Sequence, residues 1–235
     1  MSASVTSPRV LAIDGLSGSG KSTVARAVAV RLGWAFLDTG AMYRAVTLAV
    51  LQNGIDPADR AAVVGLLGTL GVEVTTDPQD VRVTLDGVDV ADAIRTPAVT
   101  AAVSAVSALP EVRAVLLRWQ REAVARASES GTGIVVEGRD IGTVVLPDAP
   151  VKIFLVADAL VRAARRAAQD ERRTGGERPQ GQVLAELQRR DEADSSREVS
   201  PLRAAPDAVT IDASELAVDE VVNSILHRVA ESVSR

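Results

Sequence analysis

The chain of 235 residues contains no cysteine, so neither a disulfide frame nor a thiolate metal site is open to it. That fits a reducing cytosol, and the expected location is cytoplasmic. It has one histidine, His227, in an amphipathic C-terminal run where it reads as a bystander. An excess of basic charge is missing too: the formal net charge is −5, which argues against a general nucleic-acid binder. Of 26 basic residues only Lys21 and Lys152 are lysine. Genomic base composition accounts for part of that bias, but arginine is also the side chain that grips phosphate bidentately, so its clusters matter. The longest uncharged stretch, 96–110, is broken by Thr, Ser and Pro and is too short to span a bilayer. Residues 1–8 lack the basic-then-apolar order of a signal peptide. No membrane segment is expected.

What is present begins with Gly15-Leu16-Ser17-Gly18-Ser19-Gly20-Lys21-Ser22, between the apolar run 10–13 and a helical pattern from Thr23 onward. This G-x-x-x-x-G-K-[ST] spacing is a phosphate-binding P-loop. Its glycines let successive backbone N–H groups turn inward around an anion. Lys21 adds a mobile cation, Ser22 a hydroxyl for Mg²⁺, and the following helix points its positive end at the phosphates. A flexible glycine turn could match the pattern alone, but not together with the flanking strand and helix.

Further apolar runs at 35–37, 134–136, 151–156 and 208–211 alternate with helical patterns, which predicts a five-stranded, doubly wound parallel sheet flanked by helices. Chemistry is then expected at the strand ends. Residues 57–71 read as a helix. After it, 72–76 and 81–85 alternate apolar with polar, and Asp86-Gly87 marks a turn before 88–90. This predicts a small antiparallel insert, expected to move against the core. Two helices, 96–108 and 110–130, meet at Leu109-Pro110, with Ser104 and Arg113 on either side of the break.

Four stretches carry polar and charged residues that could form a site. The second strand ends in Asp38-Thr39-Gly40-Ala41-Met42-Tyr43-Arg44, either a capped helix with an exposed arginine or a hydroxyl, phenol and guanidinium at a site. The run Ile134-Val135-Val136 ends in Glu137-Gly138-Arg139-Asp140-Ile141-Gly142-Thr143, where buried charges must be paired or bind something. Arg162, Arg165 and Arg166 share a helical face ahead of Gly175-Gly176. They read either as a lid over phosphates or as a solvated face paired with Asp170 and Glu171. In the last stretch, Arg190, Asp194 and Arg197 fall at i, i+4, i+7, a phosphate-and-ribose stripe or an ion-pair ladder. If Arg44, Arg139, Arg190 and Arg197 converge, a second phosphorylated ligand faces the P-loop, and phosphoryl transfer follows without a general base.

The P-loop at 15–22, the stretches at 38–44 and 137–143, and Arg190-Asp191 through Arg197, in this order, resemble the motifs of bacterial cytidylate kinases, and the resemblance runs from about Arg9 to about Ile211. The Gly-Arg-Asp-Ile-Gly-Thr block is its most specific part. The resemblance implies transfer of the ATP γ-phosphate to CMP and dCMP with Mg²⁺, in one unit of 1–235. Its core would be 9–38, 131–158 and 205–235, its monophosphate-binding region with the insert 39–130, and its short lid about 160–182. By position it implies ATP contacts at Gly15, Ser17, Gly18, Ser19, Gly20, Lys21, Ser22, Thr23 and Arg166. The metal contact is Ser22, and the catalytic cations are Lys21, Arg139, Arg190 and Arg162. CMP contacts are Thr39, Tyr43, Arg44, Ser104, Arg113, Arg139, Asp140, Arg190, Asp194 and Arg197. Partners beyond ATP and CMP or dCMP are not expected, and the protein is expected to be a monomer.

Asp140 can accept from the cytosine amine while Arg113 and Ser104 donate to ring acceptors. UMP would put a carbonyl against Asp140 and should be a poor substrate. Two positions depart from the family pattern: Glu137 stands where Asp is frequent, and Thr39 where Ser is. A P-loop kinase for a sugar or shikimate would explain the P-loop but not the base-reading set. A GTP switch would need an Asn-Lys-x-Asp element, and neither Asn53 nor Asn223 is followed by Lys.

Overall fold

The computed structural model describes residues 9–233; the N-terminal segment read above as lacking a signal sequence lies outside them. The chain opens with β1 (Val10–Gly15), α1 (Lys21–Leu32), β2 (Ala35–Asp38), α2 (Thr39–Gln52) and α3 (Arg60–Leu67). Three short strands follow, β3 (Val72–Val74), β4 (Val83–Leu85) and β5 (Val88–Asp89), then α4 (Pro97–Ala108) and α5 (Pro110–Glu129). The last part is β6 (Ile134–Gly138), β7 (Val151–Val156), α6 (Ala159–Thr174), α7 (Gln180–Ser195), β8 (Val209–Asp212) and α8 (Val218–Val233).

The five long-run strands form one parallel sheet in the order β2-β6-β1-β7-β8, as their apolar composition predicts. Successive residues face opposite layers. Val10, Ala12, Ile134 and Val136 pack with α2 and α5, whereas Leu11, Ile13, Val135 and Leu155 pack with α1 and α8. Each fully buried Leu, Ile or Val contributes about 1.5–3 kcal/mol, so the sheet is the rigid part of the molecule. Among the described residues no single helix is long and apolar enough to cross a membrane.

Local signals set most boundaries. Asp38 caps α2 by accepting from Ala41 N at 3.0 Å, and Asp59 caps α3 by accepting from Ala62 N, which starts that helix later than the 57–71 pattern implied. The antiparallel sheet β3-β4-β5 is present, but it is stitched to the core rather than set apart from it. Phe36 N in edge strand β2 donates to Thr76 O at 2.8 Å, and Arg26 Nε of α1 donates to Pro78 O at 2.6 Å. The insert thereby covers a sheet edge that would otherwise present unpaired amides. His227 is exposed and pairs only with Glu231, one turn on.

At the P-loop entrance, Gly15 has φ +151° and sits so close to β7 that a Cβ would lie 2.0 Å from Leu155 O. Gly15→Ala must therefore push β1 and β7 apart. A loss of about 1–3 kcal/mol or more in urea unfolding is expected, and an unchanged midpoint would contradict this packing.

Candidate active site

The donor side is built where β1 ends. Gly18 (φ +76°) and Gly20 (φ +94°) turn the backbone in the left-handed region, and Lys21 starts α1. Lys21 is only 6% exposed, and its Nζ donates to Leu16 O at 2.7 Å across the loop. Burial first, and Arg139 second, hold its ammonium well below the ordinary lysine range, while Glu137, Asp14 and Asp191 oppose that shift. Ser19 Oγ is buried without a hydrogen-bond partner among the described residues, whereas Ser22 and Thr23 are exposed on the first turn of α1.

Ser17 is the junction of the site. Its N–H donates to Asp191 Oδ1 at 2.9 Å, its carbonyl accepts from Arg162 Nη1 at 2.9 Å, and its hydroxyl accepts from Arg139 Nη2 at 2.9 Å. Arg139 turns its Nε to Asp194 Oδ2 at 2.9 Å, and Asp194 also takes Arg197. One chain of charge-assisted bonds thus joins the glycine loop, the end of β6 and the end of α7.

Around that chain the guanidinium groups gather. Arg190 lies close enough to Arg139 and Arg166 for both to press its proton affinity down, after burial, and Arg44 feels Arg190, Arg166 and Arg95 in the same way. Arg190 Nε is buried with no hydrogen-bond partner among the described residues. Arg44 Nη1 donates to Thr100 Oγ1 at 3.1 Å and to Ile94 O at 3.3 Å. Arg113 pairs with Asp140, both side chains only 7% exposed, and donates to Ser107 O at 3.1 Å. Its guanidinium lies 5.5 Å over the Tyr43 ring, whose buried hydroxyl is pushed up to about 12. Thr39 Oγ1 donates to Glu137 O at 2.7 Å, locking the start of α2 to the end of β6.

This geometry agrees with the comparisons to known proteins. Residues 11–231 match the cytidylate kinase family. The chain belongs to that family. A cytidylate kinase of Nocardia farcinica is 52% identical over 227 residues, covering 97% of this chain and 96% of the relative. One of Mycobacterium avium is 54% identical over 216 residues, with 92% of each covered. Among solved structures, an unliganded sugar kinase of Janibacter sp. covers 97% of this chain and 98% of its own at a TM-score of 0.51 and 18% identity, a likeness of fold alone.

Within this family frame the site differs from the sequence expectation at two points. Arg162, Arg165 and Arg166 share a face of α6 but not a target: Arg165 Nη2 reaches Ala213 O at 2.7 Å, beyond β8, while Arg162 is buried against Ala157 O, Ser17 O and Asp191. Arg166 stays on α6 with Asp170 and Gln169. The stripe Arg190-Asp194-Arg197 is not one helical face either, because α7 ends at Ser195 and Arg197 folds back onto Asp194 from beyond it. Ser104 lies half-buried on α4, its backbone oxygen accepting from Ser107 Oγ at 3.2 Å. Sequence reasoning also passed over Asp14 and Asp191. Both are single carboxylates whose neighbours offered a signal: Asp14 interrupts an apolar strand just before the glycine loop, and Asp191 follows two arginines.

Glu137 is the buried acid beside the loop, 3% exposed, with Oε1 unpartnered among the described residues. Burial, then Asp38, push its carboxyl up to about 7, against Lys21, a hydrogen bond from Ser22, and Arg139. Among the described residues no group of three or more His, Asp or Glu forms a cage complete in itself. The hydroxyl of Ser22 and the orphaned oxygen of Glu137 are hard oxygen ligands of the type Mg²⁺ takes together with phosphates. A raised acid favours the folded state when protonated, so its contribution is present below about pH 4.5 and is lost as pH rises through about 7. Glu137→Gln should remove that slope. Urea unfolding of the metal-free protein at about pH 5.5 and about pH 8 should show wild type losing ground to the variant at the higher pH, and parallel behaviour would contradict the assignment.

Proposed function

We propose that the chain transfers the γ-phosphoryl group of ATP to CMP and dCMP, with the glycine loop as donor site and the guanidinium cluster as acceptor site. The observation that carries the reading is the Ser17 junction, where Arg139 touches the donor loop with Nη2 and Asp194 of the acceptor side with Nε. Two phosphates held on either side of that guanidinium would meet end to end, the arrangement in-line transfer needs.

In this reading Gly15, Ser17, Gly18, Ser19, Gly20, Lys21, Ser22 and Thr23 embrace the ATP phosphates, with Arg166 on the lid side. Ser22, assisted by Glu137, would hold Mg²⁺, which neutralises charge on the transferring phosphates. Lys21, Arg139 and Arg190 stabilise the charge that spreads over the equatorial oxygens, and Arg162 braces Ser17 from behind. The acceptor phosphate is already an anion, so no side chain needs to remove a proton. It would sit among Thr39, Tyr43, Arg44, Arg139 and Arg197, where an anion relieves the mutual repulsion of the buried guanidiniums.

Cytosine would meet Asp140, Arg113 and Ser104. Asp194, which keeps lone pairs beyond those given to two arginines, would accept from a ribose hydroxyl, and Arg190 would donate to a ribose oxygen. Opening the Arg113–Asp140 pair to the base exchanges one set of charged bonds for another, which favours a ligand that offers both an amine donor and a ring acceptor. Uracil offers only an acceptor to Asp140.

ADP release should be fast with CMP and dCMP and slower by at least about tenfold in kcat/KM with UMP, AMP or a sugar acceptor. Turnover of a non-nucleotide acceptor alone would overturn the reading. Lys21→Ala is expected to lower kcat by a factor on the order of 10² or more at saturating CMP, and a near-normal kcat would remove the donor assignment.

A further inference from the structure

The turn that carries Asp140 is gripped at both ends by side chains outside the acceptor set. At its amide end the carboxylate of Asp14, in β1, accepts from Ile141 N through Oδ1 and from Gly142 N through Oδ2, each at 2.8 Å. At its carbonyl end Arg121 of α5 donates from Nε to Val145 O and from Nη2 to Val144 O, each at 3.0 Å. Between the two grips the backbone makes a wide single turn over Ile141–Val145, closed by Val145 N to Asp140 O at 3.1 Å and Leu146 N to Ile141 O at 2.7 Å. One such turn is not stable without outside contacts.

Asp14 is 4% exposed and stands in register with Gly138 of β6, two residues before Asp140. The ionised groups facing it are Asp140 and, from α1, Lys21. Burial pushes its acid up to about 6, with the Gly142 and Ile141 amides acting against that rise. A carboxylate held at such cost in the centre of a parallel sheet is explained by what it holds. Its two oxygens accept from the two peptides that follow Asp140, while its charge faces Lys21 and Arg139.

We infer that Asp14, assisted by Arg121, is a positioning residue for base selection: it fixes the turn after Asp140 so that the Asp140 carboxylate keeps one place at the cytosine edge. The inference rests on the reading above, in which Asp140 meets the cytosine amine. Discrimination against uracil comes from two acceptors being forced together, and that penalty exists only while the carboxylate cannot swing aside. Because Asp14 also adjoins Gly15, its effects on the donor loop must be separated from those on the turn. Among the described residues Arg121 hydrogen-bonds the turn's carbonyls alone and lies exposed on α5, so it makes that separation.

The test measures kcat/KM for CMP and for UMP, KM for ATP and urea stability in wild type, Asp14→Asn, Arg121→Met and Asp140→Ala. Asparagine keeps the shape of Asp14 but turns an NH₂ toward a backbone N–H. Asp14→Asn should lower the CMP-over-UMP ratio by roughly tenfold to a hundredfold, the range for a lost bond to a charged group, with KM for ATP within about twofold of wild type. Arg121→Met should lower the same ratio by roughly twofold to tenfold, and it carries the test if Asp14→Asn does not fold. An unchanged ratio in both variants, or a proportional loss of every parameter along with stability, overturns the inference. If Asp140→Ala itself leaves the ratio intact, the base-reading assignment falls with it. If only Asp140→Ala collapses the ratio, the assignment stands and the role of Asp14 falls.

Discussion

A guanidinium keeps its charge wherever the chain places it. Arg139, Arg162 and Arg113 are nevertheless brought out of water at one end of the sheet, with Arg190, Arg197 and Arg44 close by. Anions must balance them, and the protein supplies three: Asp191 for Arg162, Asp194 for Arg139 and Arg197, and Asp140 for Arg113. Removing one such partner from a buried pair costs about 3–5 kcal/mol, because a charge is left behind uncompensated. Arg190 has no carboxylate bonded to it among the described ion pairs, and in the proposed reading that unpaired guanidinium is kept for a phosphate.

The surplus is useful only because a stiff frame holds it. β1 and β6, the central strands, end side by side, and from those ends leave the glycine loop and the turn with Asp140. Thr39 ties α2 to β6, and the insert tied at Thr76 and Pro78 closes the free edge of β2. In the proposed reading, donor and acceptor sites are therefore not two modules joined by a hinge at the chemistry. Ser17 belongs to both, through Asp191 and Arg162 on one side and Arg139 on the other.

The sheet was legible because buried parallel strands read as unbroken apolar runs, and the P-loop because its spacing has one mechanical use. Arg139 was legible as a charge too costly to bury idly, whereas Arg44 and Arg190 each carried an ordinary surface reading beside the functional one. The side each long side chain takes was not legible, since Arg162 and Arg165 differ by three positions on a helix yet take different partners, Ser17 O in the glycine loop for one and Ala213 O beyond β8 for the other. Arg197 was named as a candidate, but its place was drawn on an assumed helix that stops two residues earlier. The tie of the insert to β2 depends on a backbone bond between Phe36 and Thr76, about which side-chain patterns say nothing. Asp14 is the instructive omission: a lone carboxylate in an apolar strand carries its own signal, because burial has to be compensated by a specific partner.

The central claim is that two phosphorylated ligands occupy adjoining halves of one site, across Arg139. The most direct measurement is calorimetric titration with adenosine and cytidine joined through their 5′ positions by a polyphosphate, repeated with ATP or CMP already present. If the halves adjoin, the linked compound binds one equivalent, far more tightly than either nucleotide, and both ATP and CMP displace it. Displacement by only one of them, or affinity no better than that of ATP alone, would contradict the account.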